Sequence, residues 1–148
     1  MAPVDLSDPA AALRLKAYVW ADAQERMARL DAAARLAAER PPLLERKDAG
    51  AFVQDMLAAP QEPGVTRVLY HSVMWQYLPQ DTRRAITAAM ERAGQAATVD
   101  RPLAWVRLET NRQTFRHELR IRYWPGGEAE QLLAEAHPHG AWVKWLGR

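Results

Sequence analysis

Two nearly continuous apolar runs constrain the fold of this sequence more than any other feature. They occupy residues 66–73 (TRVLYHSV) and 103–108 (LAWVRL), and both are rich in residues that favour strands. Such runs predict strands that are buried on both faces, which is typical of parallel sheets covered by helices. The segment between them, residues 81–97, has an apolar helical face and predicts a crossover helix. A strand–helix–strand order of this kind predicts an α/β domain.

The first third of the chain has a helical pattern. Residues 8–39 place apolar side chains at steps of three and four, with Asp8 as a cap and a break near Ala21–Asp22. Pro41-Pro42 ends this helix, because the residue before a proline avoids the helical conformation. We then expect a short strand over residues 43–46 and a helix over residues 49–58, capped by Asp48.

The last third predicts antiparallel strands. Residues 118–124 alternate apolar and basic side chains, which predicts an edge or half-exposed strand. Residues 128–136 fit a helix or a strand, and residues 141–146 predict a final strand. The fold class we expect is an α/β three-layer sandwich with a mixed sheet whose far edge is antiparallel. We expect one domain over residues 1–148, in which residues 1–40 form a helical lead-in and residues 41–148 form the sheet with its crossover helices.

Composition excludes several classes of function. The formal charge is +2 over 148 residues, so the chain has neither a strongly basic nucleic-acid arm nor an acidic tail. It has no cysteine, which excludes disulfides, thiolate metal sites and cysteine nucleophiles. No apolar run is long enough for a transmembrane helix, and the start of the chain lacks the apolar core of a signal peptide. We therefore expect a soluble cytoplasmic protein that does not bind membranes.

The segment that follows the first apolar run carries the strongest candidate site. Ligands bind beyond the carboxyl ends of strands in open α/β sheets, and His71, Ser72, Trp75 and Tyr77 fall there. His71 is the acid/base candidate, Ser72 accompanies it, and the two aromatic residues are candidate substrate-binding surfaces. The same residues also fit a structural role, with the aromatic rings packed under the next helix. Ser72 does not lie in a nucleophile elbow, so acyl transfer is disfavoured.

Two further groups of residues are weaker candidates. His137 and His139 are candidate substrate-binding residues at an opposite wall of the site; a metal role is disfavoured because zinc needs three or four ligands. An anionic ligand or nucleic acid is a third alternative, bound by Arg107, Arg120, Arg122 and Trp124. The low net charge disfavours that alternative. The sequence contains no phosphate-binding glycine loop.

Several motifs together resemble the carboxyl-terminal half of a bacterial family of unknown function, domain-of-unknown-function family 2332. The matching segments are PVDLSDP (3–9), RLKAYVW…ERMARL (14–30), LYHSVMWQYLP (69–79), PLAWVRLE (102–109), ELRIRYWPGG (118–127) and AHPHGAWVKWL (136–146). Each motif is weak alone, but their order and spacing cover nearly the whole chain.

The resemblance implies a shortened sheet similar to that of class I S-adenosylmethionine-dependent methyltransferases. In that scheme the two apolar runs correspond to the fourth and fifth strands, and Asp48 matches an acidic position near the adenine of the cofactor. Family members usually have an additional amino-terminal half with a glycine-containing loop, and this chain begins after it. The resemblance therefore implies no bound cofactor, with S-adenosylmethionine as the alternative if another chain supplies the missing half.

A missing neighbour would leave residues 66–73 with an open apolar edge. We expect this edge to form a homodimer or to bind a partner chain, to pair with residues 43–46, or to mark the chain as a fragment of a longer protein. Three functions follow: a non-catalytic or cryptic domain that binds a partner or a small ligand, a methyltransferase-like enzyme completed by another chain, and the Arg-lined binder of anions. The sequence leaves open whether the protein is an enzyme.

Overall fold

The structure is a computed structural model that describes residues 4–6 and 8–147. The chain divides into two compact units, Met1–Lys47 and Asp48–Arg148. One domain over residues 1–148, with a lead-in over residues 1–40 and the sheet region over residues 41–148, stays a prediction. No helix in the described part of the chain is long and apolar enough to cross a membrane.

The first unit contains two helices, α1 (Pro9–Lys16) and α2 (Gln24–Glu39). The carboxylate of Asp8 accepts a hydrogen bond from the backbone N–H of Ala10, so the predicted cap is confirmed. The predicted break is also confirmed, because residues 17–23 separate the two helices.

The strand predicted over residues 43–46 is wrong. Residues 41–48 have no regular secondary structure, and Leu43 is 91 % exposed. Two prolines precede this segment, and neither has an N–H with which to join a sheet. The predicted pairing of residues 43–46 with the first apolar run is therefore also wrong.

The second unit packs two helices on a five-stranded sheet. Its elements are α3 (Ala49–Ala58), β1 (Arg67–Ser72), α4 (Gln80–Gln95), β2 (Leu103–Thr110), β3 (His117–Trp124), β4 (Gly127–Ala136) and β5 (Val143–Trp145). The strand order is β1-β2-β3-β4-β5. β1 is parallel to β2, and every other pair is antiparallel. The predicted mixed sheet with an antiparallel far edge is confirmed.

Both helices of this unit contribute to one core on a single face of the sheet. The buried residues of that core are Val53, Leu69, Ile86, Met90, Leu103, Trp105 and Trp124. Because α3 and α4 share this face, the second unit has two layers, one of helices and one sheet. The three-layer arrangement that we predicted does not occur within this unit.

The positions of two strands differ from the predictions. β1 is an edge strand rather than a strand buried on both faces, and its side chains Val68 and Tyr70 are 48 % and 59 % exposed. β3 lies inside the sheet between β2 and β4, so the edge alternative predicted for residues 118–124 is wrong and the half-exposed alternative is confirmed. Apolar content alone does not specify which strand ends a sheet, because an edge strand can be as apolar as its neighbour.

Candidate functional site at the carboxyl end of β1

His71 lies near the end of β1 and uses both of its ring nitrogens within the protein. Its Nδ1 is 2.7 Å from Oε1 of Glu109, and the indole N–H of Trp105 donates to its Nε2 at 3.0 Å. The strand register explains this arrangement, because β1 and β2 are parallel and their carboxyl ends meet at one edge of the sheet. The His71 side chain is 8 % exposed.

The hydrogen bonds define the protonation state of His71. An indole N–H can only donate, so Nε2 must accept with its lone pair. The proton of the neutral ring is therefore on Nδ1, which donates to Glu109. Burial lowers the pKa of His71, and the nearby Arg107 lowers it further, while Glu109 acts in the opposite direction. The neutral Nδ1–H form is the one that these contacts favour.

Glu109 also fixes the segment that leaves β1. The same Oε1 accepts hydrogen bonds from the backbone N–H groups of Met74 and Trp75, at 3.1 and 3.2 Å. Val73 has a φ of 49°, a left-handed conformation that is rare for a β-branched residue. This sharp turn brings the ring of Trp75 over His71, with centroids 5.0 Å apart and planes 13° apart.

Ser72 and Tyr77 do not join this cluster. Successive side chains of a strand point to opposite faces, so Ser72 faces away from the sheet face that carries His71. Tyr77 is 77 % exposed in a short 3-10 turn. The geometry therefore brings together His71 and Trp75 among the four candidates, while a Ser72–His71 nucleophile pair does not form.

His137 and His139 lie at the same end of the sheet as His71, in the turn between β4 and β5. β4 is three strands from β1, which corresponds to about 14 Å at the usual strand spacing. Nδ1 of His137 accepts the backbone N–H of His139, and the backbone N–H of His137 donates to the carbonyl of Trp142. Within residues 4–6 and 8–147, no three potential ligands are grouped in a way that could hold a metal ion.

Asp48 begins α3. One of its carboxylate oxygens accepts hydrogen bonds from the backbone N–H groups of Gly50 and Ala51 at 2.9 and 3.1 Å. The capping role predicted from the sequence is confirmed.

The basic residues of the third alternative form a network with acidic partners. Arg107 contacts Glu130, Arg120 contacts Glu118 and Glu130, and Arg122 contacts Glu91. Trp124 is 3 % exposed, so its ring is not accessible for stacking on a base. These pairs neutralise much of the positive charge on which binding of an anion would depend.

The outer edge of β1 is a second candidate site. Arg67 donates its N–H to the carbonyl of Pro102 and Val73 donates to Leu108, so odd-numbered residues face β2. The N–H and C=O groups of Val68, Tyr70 and Ser72 therefore point outward. Across the described residues, no strand or side chain is hydrogen-bonded to this edge.

From the sequence, Glu109 could be a polar site residue but was more simply explained as a solvated strand end, and Trp105 was not among the candidates. Their signal was the order of elements: if the two apolar runs are parallel neighbours, the residues near their carboxyl ends meet. Trp105 could not be predicted as a site residue, because its place in an apolar run does not show which group accepts its indole N–H.

The fold and its site define a mixed α/β protein with a buried histidine at the end of an open edge strand. The family whose model matches the chain is described as an uncharacterized protein conserved in bacteria (DUF2332), and the match covers residues 1–145. The chain belongs to this family, as the sequence motifs indicated. No curated protein and no solved structure matches the chain.

Proposed function

We propose that this chain is a non-catalytic binding domain that recognises a partner protein by adding a strand to the outer edge of β1. The observation that carries the proposal is the set of outward N–H and C=O groups of Val68, Tyr70 and Ser72, which are unpaired in the described structure. Strand addition obtains its affinity from main-chain hydrogen bonds and its specificity from alternate side chains. Val68 and Tyr70 supply the exposed apolar side chains beside this edge.

The edge also lacks the features by which proteins block unwanted strand pairing. Such features include charged side chains, proline and bulges. Arg67 is the only charged residue of β1, and its guanidinium donates to the carbonyls of Leu57, Ala59 and Pro60. Its charge is thus directed toward the segment that follows α3 rather than along the edge.

The cluster around His71 supports a binding role more than a catalytic one. A general base needs a free lone pair within reach of the substrate proton. The lone pair of Nε2 is used by Trp105, and the proton on Nδ1 is used by Glu109. The cluster fixes the end of β1, and through it the conformation of the edge.

The test uses a short synthetic strand as the probe. The peptide KTVTVTK is titrated into ¹⁵N-labelled protein, and amide shifts and hydrogen exchange are measured. We expect the outward amides of Val68, Tyr70 and Ser72 to shift and to exchange more slowly, while the inward amides of Leu69 and His71 change little. The control is the same peptide with N-methyl groups on its pairing edge. Equal effects of both peptides, or no effect of either at protein concentrations where the chain is a monomer, would overturn the proposal.

A methyltransferase-like enzyme completed by another chain is the second candidate. The crossover from β1 through α4 to the parallel β2, followed by antiparallel strands, favours it. In that scheme the partner would add a strand at the same edge and would bring the cofactor loop. Calorimetric titration with S-adenosylhomocysteine separates the two candidates. We expect no heat from the chain alone, and micromolar binding would instead favour the enzyme.

A further inference from the structure

We infer that the strand received by the β1 edge is β1 of a second copy of this chain, paired antiparallel about a two-fold axis at Tyr70. This inference rests on the proposed function and names its partner. A two-fold axis perpendicular to the strands makes two identical edges antiparallel, and the surfaces they join must be self-complementary. The β1 edge meets that condition.

The register follows from the outward backbone groups. In an antiparallel pair, residues that lie directly opposite alternate between hydrogen-bonded and non-hydrogen-bonded pairs. In a hydrogen-bonded pair, the N–H of each residue donates to the C=O of the other. With the axis at Tyr70, Tyr70 opposes the partner's Tyr70 and Val68 opposes the partner's Ser72. Every outward N–H and C=O of the three residues is then paired. An axis at Leu69 would pair Val68 with the partner's Tyr70 and would place Ser72 opposite the partner's Thr66, which lies outside β1.

The side chains agree with the same register. Val68, Tyr70 and Ser72 carry no charge, so no like charges oppose one another across the axis. The exposed rings of the two Tyr70 residues would form a cross-strand aromatic pair, a favourable contact in sheets. The result is a continuous sheet formed by both five-stranded sheets, with β1 no longer at an edge.

The opposite edge of the sheet is a poorer partner for β1. β5 has three residues, and it carries Lys144 at its centre. Pairing of β1 with the partner's β5 would be heterologous and would leave further edges open, which leads to filaments rather than closed dimers. The two-fold pairing of β1 with β1 instead forms a closed dimer, in which both β1 edges are used.

The absence of cysteine makes a crosslinking test of the register simple. Opposed residues that exchange both hydrogen bonds have Cα atoms about 5.5 Å apart, within the range of a disulfide. Tyr70→Cys should therefore crosslink to itself under mild oxidation. Val68→Cys alone should not, because the two copies would lie about 13 Å apart along the strand. A mixture of Val68→Cys and Ser72→Cys chains should crosslink.

Analytical ultracentrifugation of the unmodified full chain gives the second measurement. We expect a concentration-dependent dimer whose dissociation constant rises at least tenfold in Tyr70→Lys, because two like charges would then face each other. Phe115→Lys is the matched control, since Phe115 is an aromatic residue that is 83 % exposed and lies outside β1. It should leave the dissociation constant within twofold.

The outcomes separate the inference from the proposed function. A chain that stays monomeric at all concentrations and gives no Tyr70→Cys crosslink overturns the second copy as partner. If that chain still binds the KTVTVTK strand at the outward amides, the proposed function stands. A dimer that Tyr70→Lys does not weaken, or self-crosslinking of Val68→Cys, would overturn the pairing about Tyr70.

Discussion

At the scale of single residues, His71 shows how a candidate catalytic group can instead stabilise a fold. Its neutral ring donates to Glu109 and accepts from Trp105, and Trp75 stacks on its face. Glu109 in turn accepts the two N–H groups that follow the left-handed Val73. Removing the imidazole would affect each of these contacts.

We expect His71→Ala to lower the free energy of unfolding by about 2–4 kcal/mol. The indole N–H of buried Trp105 would be left unpaired, which costs about 1–3 kcal/mol, and Glu109 would lose one of its three hydrogen bonds. Urea unfolding of the purified variants measures this loss. Tyr77→Ala is the control, since an exposed site should stay within about 0.5 kcal/mol. A His71→Ala variant as stable as wild type would contradict the structural role.

The pH dependence of stability gives a second test of His71. Burial holds the pKa of His71 below the ordinary histidine value of about 6.5, so as pH falls the unfolded chain binds a proton before the folded chain does. The contribution of His71 to the free energy of unfolding is therefore complete above about pH 6.5, and it is lost as pH falls below that value.

Between pH 7.5 and 5, we expect the stability difference between wild type and His71→Gln to narrow. Its slope cannot exceed about 1.4 kcal/mol per pH unit for one site. Denaturant unfolding at each pH measures the difference directly, and the variant corrects for all other titrating groups. A difference that stays constant or widens toward pH 5 would show that the imidazole is not held neutral.

At the scale of elements, the packing of α4 on β3 depends on Gly94. A Cβ at this position would lie 2.5 Å from ring atoms of Trp124, far inside contact distance. The helix therefore approaches the sheet at a residue without a side chain, and this contact helps to bury Trp124 to 3 % exposure.

We expect Gly94→Ala to destabilise the protein by about 1–3 kcal/mol, the usual cost of overpacking a core. The sign of this stability change tests the contact, because alanine is otherwise more favourable than glycine in a helix by about 1 kcal/mol. Thermal or urea unfolding measures the change, and Gln95→Ala at the exposed neighbouring position is the control. The double variant Gly94→Ala, Trp124→Phe should lose less free energy of unfolding than the sum of the losses in the two single variants. Full additivity would show that the ring and the glycine do not interact.

Local patterns were sufficient to predict most elements of this fold. The caps at Asp8 and Asp48 and the two apolar runs specify their helices and strands through contacts within a few residues. The position of β1 at an edge was not predictable in this way, because it depends on which strand lies beside it. The network of His71, Glu109 and Trp105 joins residues 34 and 38 positions apart, so it required the parallel register of β1 and β2.

At the scale of the whole molecule, the two outer strands of the sheet, β1 and β5, each have one edge that no described strand pairs with, and the two edges differ in character. β1 presents Val68 and Tyr70 with no free charge, whereas β5 is a strand of three exposed residues next to Trp142. Exposed edges are sites where chains associate unless something covers them. Association at the β1 edge is consequently the property that the proposed function requires.

The division into two compact units gives a last prediction. Residues 41–48 are irregular and exposed, and they contain the trypsin sites Arg46 and Lys47. Proteolysis requires local unfolding, which costs least in such segments. We expect limited trypsin digestion to cleave here first and to leave a resistant fragment that begins at residue 47 or 48, identified by mass spectrometry. The core of α3, α4 and the sheet lies wholly within that fragment, which should keep the cooperative unfolding transition of the intact chain. Cleavage that starts within α4 or the sheet, or a fragment digested as fast as it forms, would show that the second unit depends on the first for its stability.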